Sequence, residues 1–315
     1  MKKTNIIFMG TPDFSVPALK ALAAQDNFNI SLVVTQPDRP RGRGKKLSFP
    51  PVKDTALELG LDVYQPENLN CQEGFERLSA LRPDYFVVVA FGQLLSQRIL
   101  DIPRIYPINI HASLLPRYRG AAPIQAAVMN MDTATGITTM VMAKGMDSGD
   151  MLLTASTPID PDETAQELHD RLSVMGGKLI VKTILETNRN TLTPIPQDHS
   201  KASYVHMLKK SDGKIDWTLS NKAICAHINA MTPWPGAFTL LDGKRFKLFR
   251  AIPDDKETSL GPGEIFQCDE TGIHVATGKN SLVILELMGS SGKKLPADAF
   301  LRGHKIDLPA RFEVE

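Results

Sequence analysis

The chain has 315 residues and a formal net charge of +1 at pH 7, with 36 basic and 35 acidic side chains. This length favours two domains, and a hydrophobic content of 42% is enough for a sizeable core. A net charge this close to zero excludes a global field that attracts nucleic acid or membranes, so any such attraction must come from local clusters.

The three cysteines, Cys71, Cys225 and Cys268, show no Cys-x-x-Cys spacing. An odd number without that spacing argues against a disulfide framework or a structural zinc site. We therefore expect buried thiols in a reducing cytosol, with a catalytic cysteine as the alternative. No apolar run reaches the roughly 18 residues that a membrane span needs, and we expect no targeting segment before the first strand. The predicted location is cytoplasmic.

The N-terminal half alternates strands with helices. An apolar strand at 6–9 is followed by a helix predicted over 14–25, with Thr11 or Asp13 as its cap, and then by a strand at 30–35. Further strands are predicted over 62–64, 84–90, 108–111, 135–142 and 151–158, and helices over 52–58, 74–80, 95–100, 120–131 and 164–188. This alternation is typical of an α/β fold with a parallel sheet wrapped by helices.

A basic segment follows the second strand. The Pro and Gly content of residues 36–51 predicts no regular structure there, and a loop this long is usually functional or disordered. Its basic residues are Arg39, Arg41, Arg43, Lys45 and Lys46. Such a run is either a solvated surface or an adaptable polycation for phosphate backbones. Lys209 and Lys210 form a second, smaller basic patch.

The composition changes after the helix that ends at 188. Residues 189–208 are predicted to be a linker, and short strands with glycine turns follow, with one helix over 221–231. The strands are predicted over 213–217, 236–241, 245–251, 263–268, 272–276 and 281–288. An OB-like β-barrel over 209–315, after a catalytic domain over 1–188, fits this pattern.

The chemistry is concentrated around residues 109–120. Asn109 and His111 alternate on one strand, so both side chains leave the same face. An amide donor beside an imidazole suits a carbonyl under attack, because one stabilises an oxyanion and the other handles a proton. The alternative is that Asn109 caps the turn and His111 hydrogen-bonds a backbone carbonyl.

Asp147 lies in a glycine-flanked turn about thirty residues further on. If it approaches His111, it would orient the imidazole, as carboxylates do for catalytic histidines. The alternative is a local Asx cap. Asp150 has the same chemistry, and a structural role is expected for it.

Two apolar edges flank this stretch. Ser113, Leu114, Leu115 and Pro116 form one, and residues 91–95 form the other, so together they could cradle a flat heterocycle. The alternative is ordinary loop packing. Arg117 and Arg119 either bind an anion or are solvated, and the sequence does not distinguish these roles.

These motifs together resemble the 10-formyltetrahydrofolate-dependent formyltransferases. The resemblance rests on the Asn109-x-His111 pair, the segment 113–120 and the turn 145–150. The segment 8–14, the basic segment 35–46 and the segment 232–237 narrow it to the members that formylate initiator methionyl-tRNA. It covers essentially the whole chain.

The resemblance implies a Rossmann-like formyltransferase domain followed by a smaller OB-like domain that binds tRNA. It assigns catalysis to Asn109, His111 and Asp147. The folate co-substrate would contact Ser113, Leu114, Leu115, Pro116, Gln93, Leu94 and Leu95. The tRNA would contact Arg39, Arg41, Arg43, Lys45, Lys46, Lys209 and Lys210. No metal is implied, no membrane partner is expected, and we expect a monomer.

Three other functions compete with this one. A formyltransferase for an amino-sugar nucleotide, or a formyltetrahydrofolate hydrolase, would share the catalytic residues, but the basic segment argues against both. A non-catalytic RNA-binding protein would bind no folate.

Overall fold

The computed structural model describes residues 3–41, 46–289 and 292–314. Residue contacts divide the chain into two units. The first comprises Met1–Gly120, Thr135–Thr157 and His169–Tyr204, and the second comprises Ala121–Ala134, Pro158–Leu168 and Val205–Glu315. Most of the predicted linker therefore packs within the first unit. The predicted division at residues 188 and 209 stays a prediction about folding domains.

Eleven strands precede residue 206 in the described part of the chain. They are β1 (Thr4–Gly10), β2 (Phe28–Val34), β3 (Arg39–Arg41), β4 (Lys46–Ser48), β5 (Val63–Tyr64), β6 (Tyr85–Val89), β7 (Tyr106–His111), β8 (Arg119–Gly120), β9 (Ala134–Val141), β10 (Met151–Pro158) and β11 (Tyr204–Val205). Seven of them form one sheet in the order β10-β9-β7-β6-β1-β2-β5. The pairs β5–β2, β2–β1, β1–β6 and β6–β7 are parallel, and β7–β9 is antiparallel.

Six α-helices within the same described residues accompany these strands: α1 (Val16–Ala23), α2 (Pro51–Glu58), α3 (Gln72–Ala80), α4 (Gln97–Leu100), α5 (Pro123–Met129) and α6 (Ala165–Asn188). The five residues of β6 are apolar and buried, as expected for a central strand covered on both faces. Together with the Rossmann-like strand order, this confirms the predicted α/β fold of the N-terminal half.

A β-ribbon overturns one expectation for the basic segment. β3 and β4 pair antiparallel, with Arg41 opposite Lys46, and α2 begins at Pro51. The prediction of no regular structure over 36–51 is therefore wrong. Both strands of a two-stranded ribbon are edges, where proline is tolerated because its missing N–H need not face a partner. Proline also suits the first helical position.

The start of α1 differs from prediction. A 3₁₀ turn over Asp13–Ser15 precedes α1, whose N-cap residue Ser15 makes no side-chain capping bond. The hydroxyl of Thr11 instead donates to the carbonyl of Phe91 at 2.8 Å. Thr11 therefore ties the ends of β1 and β6 together and does not cap the helix.

The expectation of buried thiols is confirmed for Cys225 and not for the other two cysteines. Cys71 is exposed, and its Sγ accepts a hydrogen bond from the backbone of Gly74 at the start of α3. Cys225 is buried, and Cys268 is intermediate. No local pattern indicates the capping role, because cysteine is a rare helix cap beside Ser, Thr, Asp and Asn.

The second unit contains an antiparallel sheet. Its strands are β12 (Ala237–Leu241), β13 (Lys244–Asp254), β14 (Glu264–Asp269), β15 (Gly272–Ala276), β16 (Ser281–Met288), β17 (Lys294–Pro296) and β18 (Ala310–Arg311), with helices α7 (Asn221–Met231) and α8 (Ala297–Gly303). The order is β12-β13-β16-β15-β14-β18, and β17 flanks β16. Beyond β18, Glu313 N donates to Leu240 O on β12 at 2.9 Å. The predicted OB-like domain is confirmed as an antiparallel half-barrel.

The strand predicted over 213–217 does not form. Residues Lys210–Gly213 make a 3₁₀ turn, and only Lys214 bridges to Phe238. Trp217 is fully buried and stacks on Phe312 with ring centroids 5.2 Å apart. The apolar residues of this segment therefore anchor the core of the unit and do not extend its sheet.

Two features of other protein classes are absent from the described residues. None of their helices is both long and apolar enough to cross a membrane. Over the same residues, no group of three His, Cys, Asp or Glu side chains is arranged to hold a metal ion.

Candidate active site

The site begins at the end of β7. Asn109 lies opposite Met140 of β9, and His111 lies opposite Thr138. Residues two apart on a strand share a face, so the amide and the imidazole leave the sheet on the same side. Asn109 is half-buried and His111 is buried, which limits the number of rotamers that each can adopt.

The turn between β9 and β10 supplies the carboxylate. Asp147 has φ of 45°, in the left-handed region that Asp and Asn adopt more readily than other non-glycine residues. Two residues later, a Cβ on Gly149 would lie 1.9 Å from the carbonyl oxygen of Val141. Only glycine therefore allows the turn to pass so close to the strand that carries it.

Asp147 meets both residues of β7. Its Oδ2 lies 3.5 Å from His111 Nδ1, and its Oδ1 accepts a hydrogen bond from Asn109 Nδ2 at 3.4 Å. The contact between His111 and Asp147, which sequence spacing alone could not show, is present. The two motifs thus form one cluster of amide, imidazole and carboxylate.

A backbone amide fixes the orientation of the carboxylate. Gly120 N donates to Asp147 Oδ2 at 2.8 Å, and Gly120 has φ of 110°. An L residue with a side chain is strained at that angle. Among the described residues, Oδ1 makes only the long contact with Asn109, so it is the carboxylate oxygen that has the capacity to take a proton.

The hydrogen bonds of His111 fix where its protons reside. Its Nε2 lies 2.9 Å from the carbonyl oxygen of Tyr118. A carbonyl only accepts, so Nε2 must carry a proton. Proton gain or loss therefore occurs at Nδ1, the atom that faces Asp147. One nitrogen of this histidine thus bonds a backbone carbonyl, as the structural alternative predicted, and the other faces the carboxylate of Asp147. The part of His111 in proton transfer stays a prediction.

The apolar edge after β7 is a tight turn. The buried hydroxyl of Ser113 donates to Arg117 O at 2.6 Å, and Leu115 N donates to Thr138 Oγ1 at 3.2 Å. Leu114 and Pro116 are only partly buried. Of the four residues predicted to line the folate site, these two offer apolar surface, while Ser113 and Leu115 build the turn.

The second predicted edge, residues 91–95, likewise contains some residues that support the structure and one that offers apolar surface. The amide of Gln93 donates to Pro66 O at 3.0 Å and accepts from Leu69 N at 2.9 Å. Leu95 packs against the apolar core of the first unit. Leu94 is 89% exposed, so it is the member of this edge that a ligand could cover.

A cavity of about 360 Å³ opens at the ends of β1 and β6. Its lining includes Thr11, Gln36, Arg39, Phe49 and Phe91. This is the edge of a parallel sheet where ligands bind in doubly wound folds. Arg39, predicted to bind tRNA, therefore borders the cavity from the base of the ribbon.

An acidic residue anchors the base of the β3–β4 ribbon. Asp38 accepts hydrogen bonds from Gln65 Nε2 at 2.8 Å and from Lys53 Nζ at 2.6 Å. These bonds, with that of Gln65 first, lower the pKa of Asp38. The carboxylate of Asp38 thereby connects the start of the ribbon to Gln65 and Lys53.

The remaining basic residues are described to different extents. Arg43 and Lys45 lie outside the described residues, and only the backbone of Arg41 and Lys46 is described. Lys209 and Lys210 are exposed where the 3₁₀ turn of the second unit begins.

One part of the site is not recognisable from the sequence. Gln197, within the predicted linker, donates through Nε2 to Asp147 O at 2.9 Å and to Gly149 O at 2.7 Å. Its Oε1 accepts from Arg119 Nη2 at 2.6 Å. Arg119 is buried, which excludes the solvated role considered for it. A glutamine in a polar, proline-containing stretch carries no sequence signal of such contacts.

Arg117 has a different environment from Arg119. It is exposed, its Nη2 donates to the hydroxyl of Tyr118 at 2.7 Å, and its guanidinium lies 4.8 Å from the centre of that ring. The guanidinium of Arg117 therefore packs against the ring of Tyr118.

Two family models match the chain. Residues 2–184 match the model described as formyl transferase, and residues 207–305 match the model described as formyl transferase, C-terminal domain.

Curated relatives match over nearly the full length. The methionyl-tRNA formyltransferase of Citrifermentans bemidjiense is 47% identical over 97% of this chain and 95% of its own length. That of Geobacter metallireducens is 49% identical over 98% of both chains.

Solved structures share the fold. The N-formyltransferase from Helicobacter canadensis, in complex with folinic acid and dTDP-3-aminofucose, has a TM-score of 0.67 and 17% identity over 90% of this chain and 99% of that chain. HypX from Aquifex aeolicus in complex with tetrahydrofolic acid has a TM-score of 0.63 and 17% identity, covering 94% and 46%.

Proposed function

The chain belongs to the formyl transferase family, and on this premise we propose that it transfers the formyl group of 10-formyltetrahydrofolate to the amino group of initiator methionyl-tRNA. The observation that carries this proposal is the convergence of Asn109, His111 and Asp147 in a chain 47% identical to a curated methionyl-tRNA formyltransferase. The product is N-formylmethionyl-tRNA, which serves translation initiation.

The first step is attack of the neutral methionine amine on the formyl carbon. A bond forms between the amine nitrogen and that carbon, and the carbonyl oxygen becomes an oxyanion. Asn109 Nδ2 and, when Nδ1 is protonated, His111 supply donors to that oxygen. A preorganised donor of this kind contributes on the order of 10²–10³-fold to the rate.

The second step moves a proton and breaks the bond to N10. Asp147 Oδ1 takes the proton that the amine loses, since Oδ2 is already held by Gly120 N. N10 leaves with the bonding electron pair and receives a proton from His111 Nδ1 or a water. General acid–base help of this kind is worth roughly 10²–10⁴-fold, and no covalent enzyme intermediate is needed.

The apolar edges receive the pterin and its linker. Leu114, Pro116 and Leu94 present exposed apolar surface, whereas Ser113, Leu115, Gln93 and Leu95 hold those residues in place through the turn and the core. A flat heterocycle bound to such a wall buries its apolar surface against these side chains, which suits aromatic co-substrates.

The β3–β4 ribbon and the Lys209–Lys210 patch bind the tRNA. Arg39, Arg41, Arg43, Lys45 and Lys46 neutralise acceptor-arm phosphates, and counterion release then provides affinity that falls as salt rises. The large tRNA surface also holds the methionine amine at the reacting carbon, which turns a bimolecular step into a nearly unimolecular one.

A monomer in the cytoplasm accounts for this chemistry. Asn109, His111 and Asp147 come from one chain, so no second copy is needed to complete the cluster. Both substrates belong to the compartment where translation starts. Sedimentation of the purified chain with and without tRNA tests whether the chain is a monomer.

A formylation assay with competing amines tests the function. Purified protein and the formyl donor are offered initiator methionyl-tRNA, elongator methionyl-tRNA and a nucleotide-linked amino sugar in parallel. We expect formylation of the initiator tRNA at a far higher kcat/KM than of the other two. Preferential formylation of the amino sugar, or release of formate without an acceptor, would reject the proposal.

A further inference from the structure

The turn that carries Asp147 is held by a side chain from a distant part of the chain. Gln197 is 5% exposed, and its Nε2 donates to the carbonyl oxygens of Asp147 and Gly149 at 2.9 and 2.7 Å. Both protons of the amide are thus used on the carbonyl groups of the two residues on either side of residue 148. These bonds are to the backbone, so they set where the turn lies without occupying the carboxylate.

Gln197 is itself oriented by a buried guanidinium. Arg119 is 1% exposed, and its Nη2 and Nε donate to Gln197 Oε1 at 2.6 and 3.1 Å. Because guanidinium only donates, it forces the carbonyl end of the glutamine toward itself. The NH₂ end is then left facing the Asp147 turn, so the amide has a single orientation.

Two further side chains complete the environment of the arginine. Arg119 Nη1 donates to the hydroxyl of Tyr204, and Nη2 donates to His199 Nδ1, each at 3.1 Å. Arg119 N also donates to Ser203 O at 2.8 Å. These contacts offset the cost of burying a charge, and they tie the segment 197–204 to β8.

The geometry of the turn requires this support. Asp147 has φ of 45°, and a non-glycine residue keeps a conformation in that region only where its surroundings hold it there. Arg119 immediately precedes Gly120, whose amide holds Asp147 Oδ2. The segment Arg119–Gly120 thus acts on Asp147 in two ways. Gly120 N binds the carboxylate directly, and Arg119 orients Gln197, which binds the backbone of the turn.

From this geometry we infer that Gln197 and Arg119 are positioning residues for formyl transfer, which act through Asp147 and touch no substrate. The inference rests on the proposed function. A shift of about 1 Å in a reacting group can cost 10²-fold in rate, so release of the turn lowers kcat more than it changes KM.

Gln197→Glu separates this role from simple packing. A glutamate keeps the volume and pairs with Arg119, but it cannot donate to the two carbonyls and repels them. We expect kcat to fall about 10- to 100-fold, with KM for folate and for tRNA within about threefold. The ion pair with Arg119 offsets part of the loss of the two bonds to the carbonyls, so the melting temperature is expected to fall only by a few degrees. Gln25→Glu is the matched control, because Gln25 also donates to a backbone carbonyl, that of Ala21 at 3.2 Å.

A double-mutant cycle with Asp147→Asn is the decisive test, because the effects on rate of substituting residues that act as a unit are not additive. We expect Gln197→Glu to lower kcat less than twofold when Asp147 is already Asn. Fully additive effects, or a folded Gln197→Glu enzyme with wild-type kcat, would overturn the inference. If Gln197→Glu does not fold, Gln197→Met is judged by the same criteria. Wild-type activity on methionyl-tRNA is measured alongside, so that its absence identifies failure of the proposed function itself.

Discussion

The amide of Gly120 donates a 2.8 Å hydrogen bond to Oδ2 of Asp147. This bond joins two stretches that lie 27 residues apart in the chain. It leaves Oδ1 beside Asn109, and it places His111 Nδ1 3.5 Å from Oδ2. The carboxylate is therefore held in one orientation before any substrate arrives, which is the condition for efficient proton transfer.

Gly120→Ala tests this bond. A Cβ at φ of 110° is strained, and the backbone is expected to rotate the amide away from Asp147, lowering kcat about tenfold or more. Gly60→Ala is a matched control, because Gly60 has φ of 68° and a Cβ at that position would have no neighbour within 4 Å. Thermal melts and steady-state kinetics of both variants are compared. Equal kcat in the two would show that the bond has no catalytic role.

Asn109→Ala tests the oxyanion donor. We expect kcat to fall on the order of 10²–10³-fold, with folate and tRNA affinities little changed, because the amide acts on the charge that develops during reaction. Asn27→Ala, at an exposed position, serves as the control. An effect confined to KM would assign Asn109 to substrate binding.

The charges of the basic segment are tested by salt titration. Replacing Arg41 and Arg43 with Ala is expected to weaken binding of charged tRNA and to reduce the slope of log K against log salt by about one for each phosphate that is no longer neutralised. Folate affinity should be unaffected. Lys182→Ala, on the exposed side of α6, removes a charge elsewhere. A fall in folate affinity with unchanged tRNA binding would show that the basic segment serves the other substrate.

The residues of the site differ in how well the sequence predicts their roles. Asn109 and His111 could be recognised because alternation on a strand is a local pattern. The contact with Asp147 depends on where the β9–β10 turn lies, which spacing does not encode. Gln197 was unpredictable for a stronger reason, because its two bonds to carbonyl groups are tertiary contacts and any polar residue in a proline-containing stretch resembles a linker.

Predictions of secondary structure from local composition also failed where long-range contacts determine the structure. The prolines of the basic segment argue against strands, yet an isolated ribbon has only edges, so Pro40 is accommodated there. Pro51 lies outside the ribbon and occupies the first position of α2, which suits proline. The segment before Trp217 has the composition of a strand, but stacking on Phe312 is a long-range contact that no local pattern shows. The fold class, by contrast, follows from strand–helix alternation over the N-terminal half and from successive short strands after residue 209.

The cysteines provide a test that is independent of catalysis. Burial raises the pKa of Cys225 to about 12 from an ordinary value of 9.0, so its thiol stays protonated in the native state, and the unfolded state ionises first. Stability is therefore expected to fall as pH rises above about 9. At about pH 8, alkylation followed by peptide mass analysis should modify exposed Cys71 rapidly and Cys225 only after unfolding. Equal labelling rates would contradict the described burial.

The central claim is that Asp147 takes the amine proton, and single-turnover formylation of initiator methionyl-tRNA by Asp147→Asn tests it most directly. Asparagine can still accept the hydrogen bond from Gly120 but cannot take a proton, so the turn should be kept while chemistry is lost. We predict a fall in the single-turnover rate of at least about 10²-fold, with the melting temperature and tRNA affinity unchanged. A rate near that of the wild type would contradict the account.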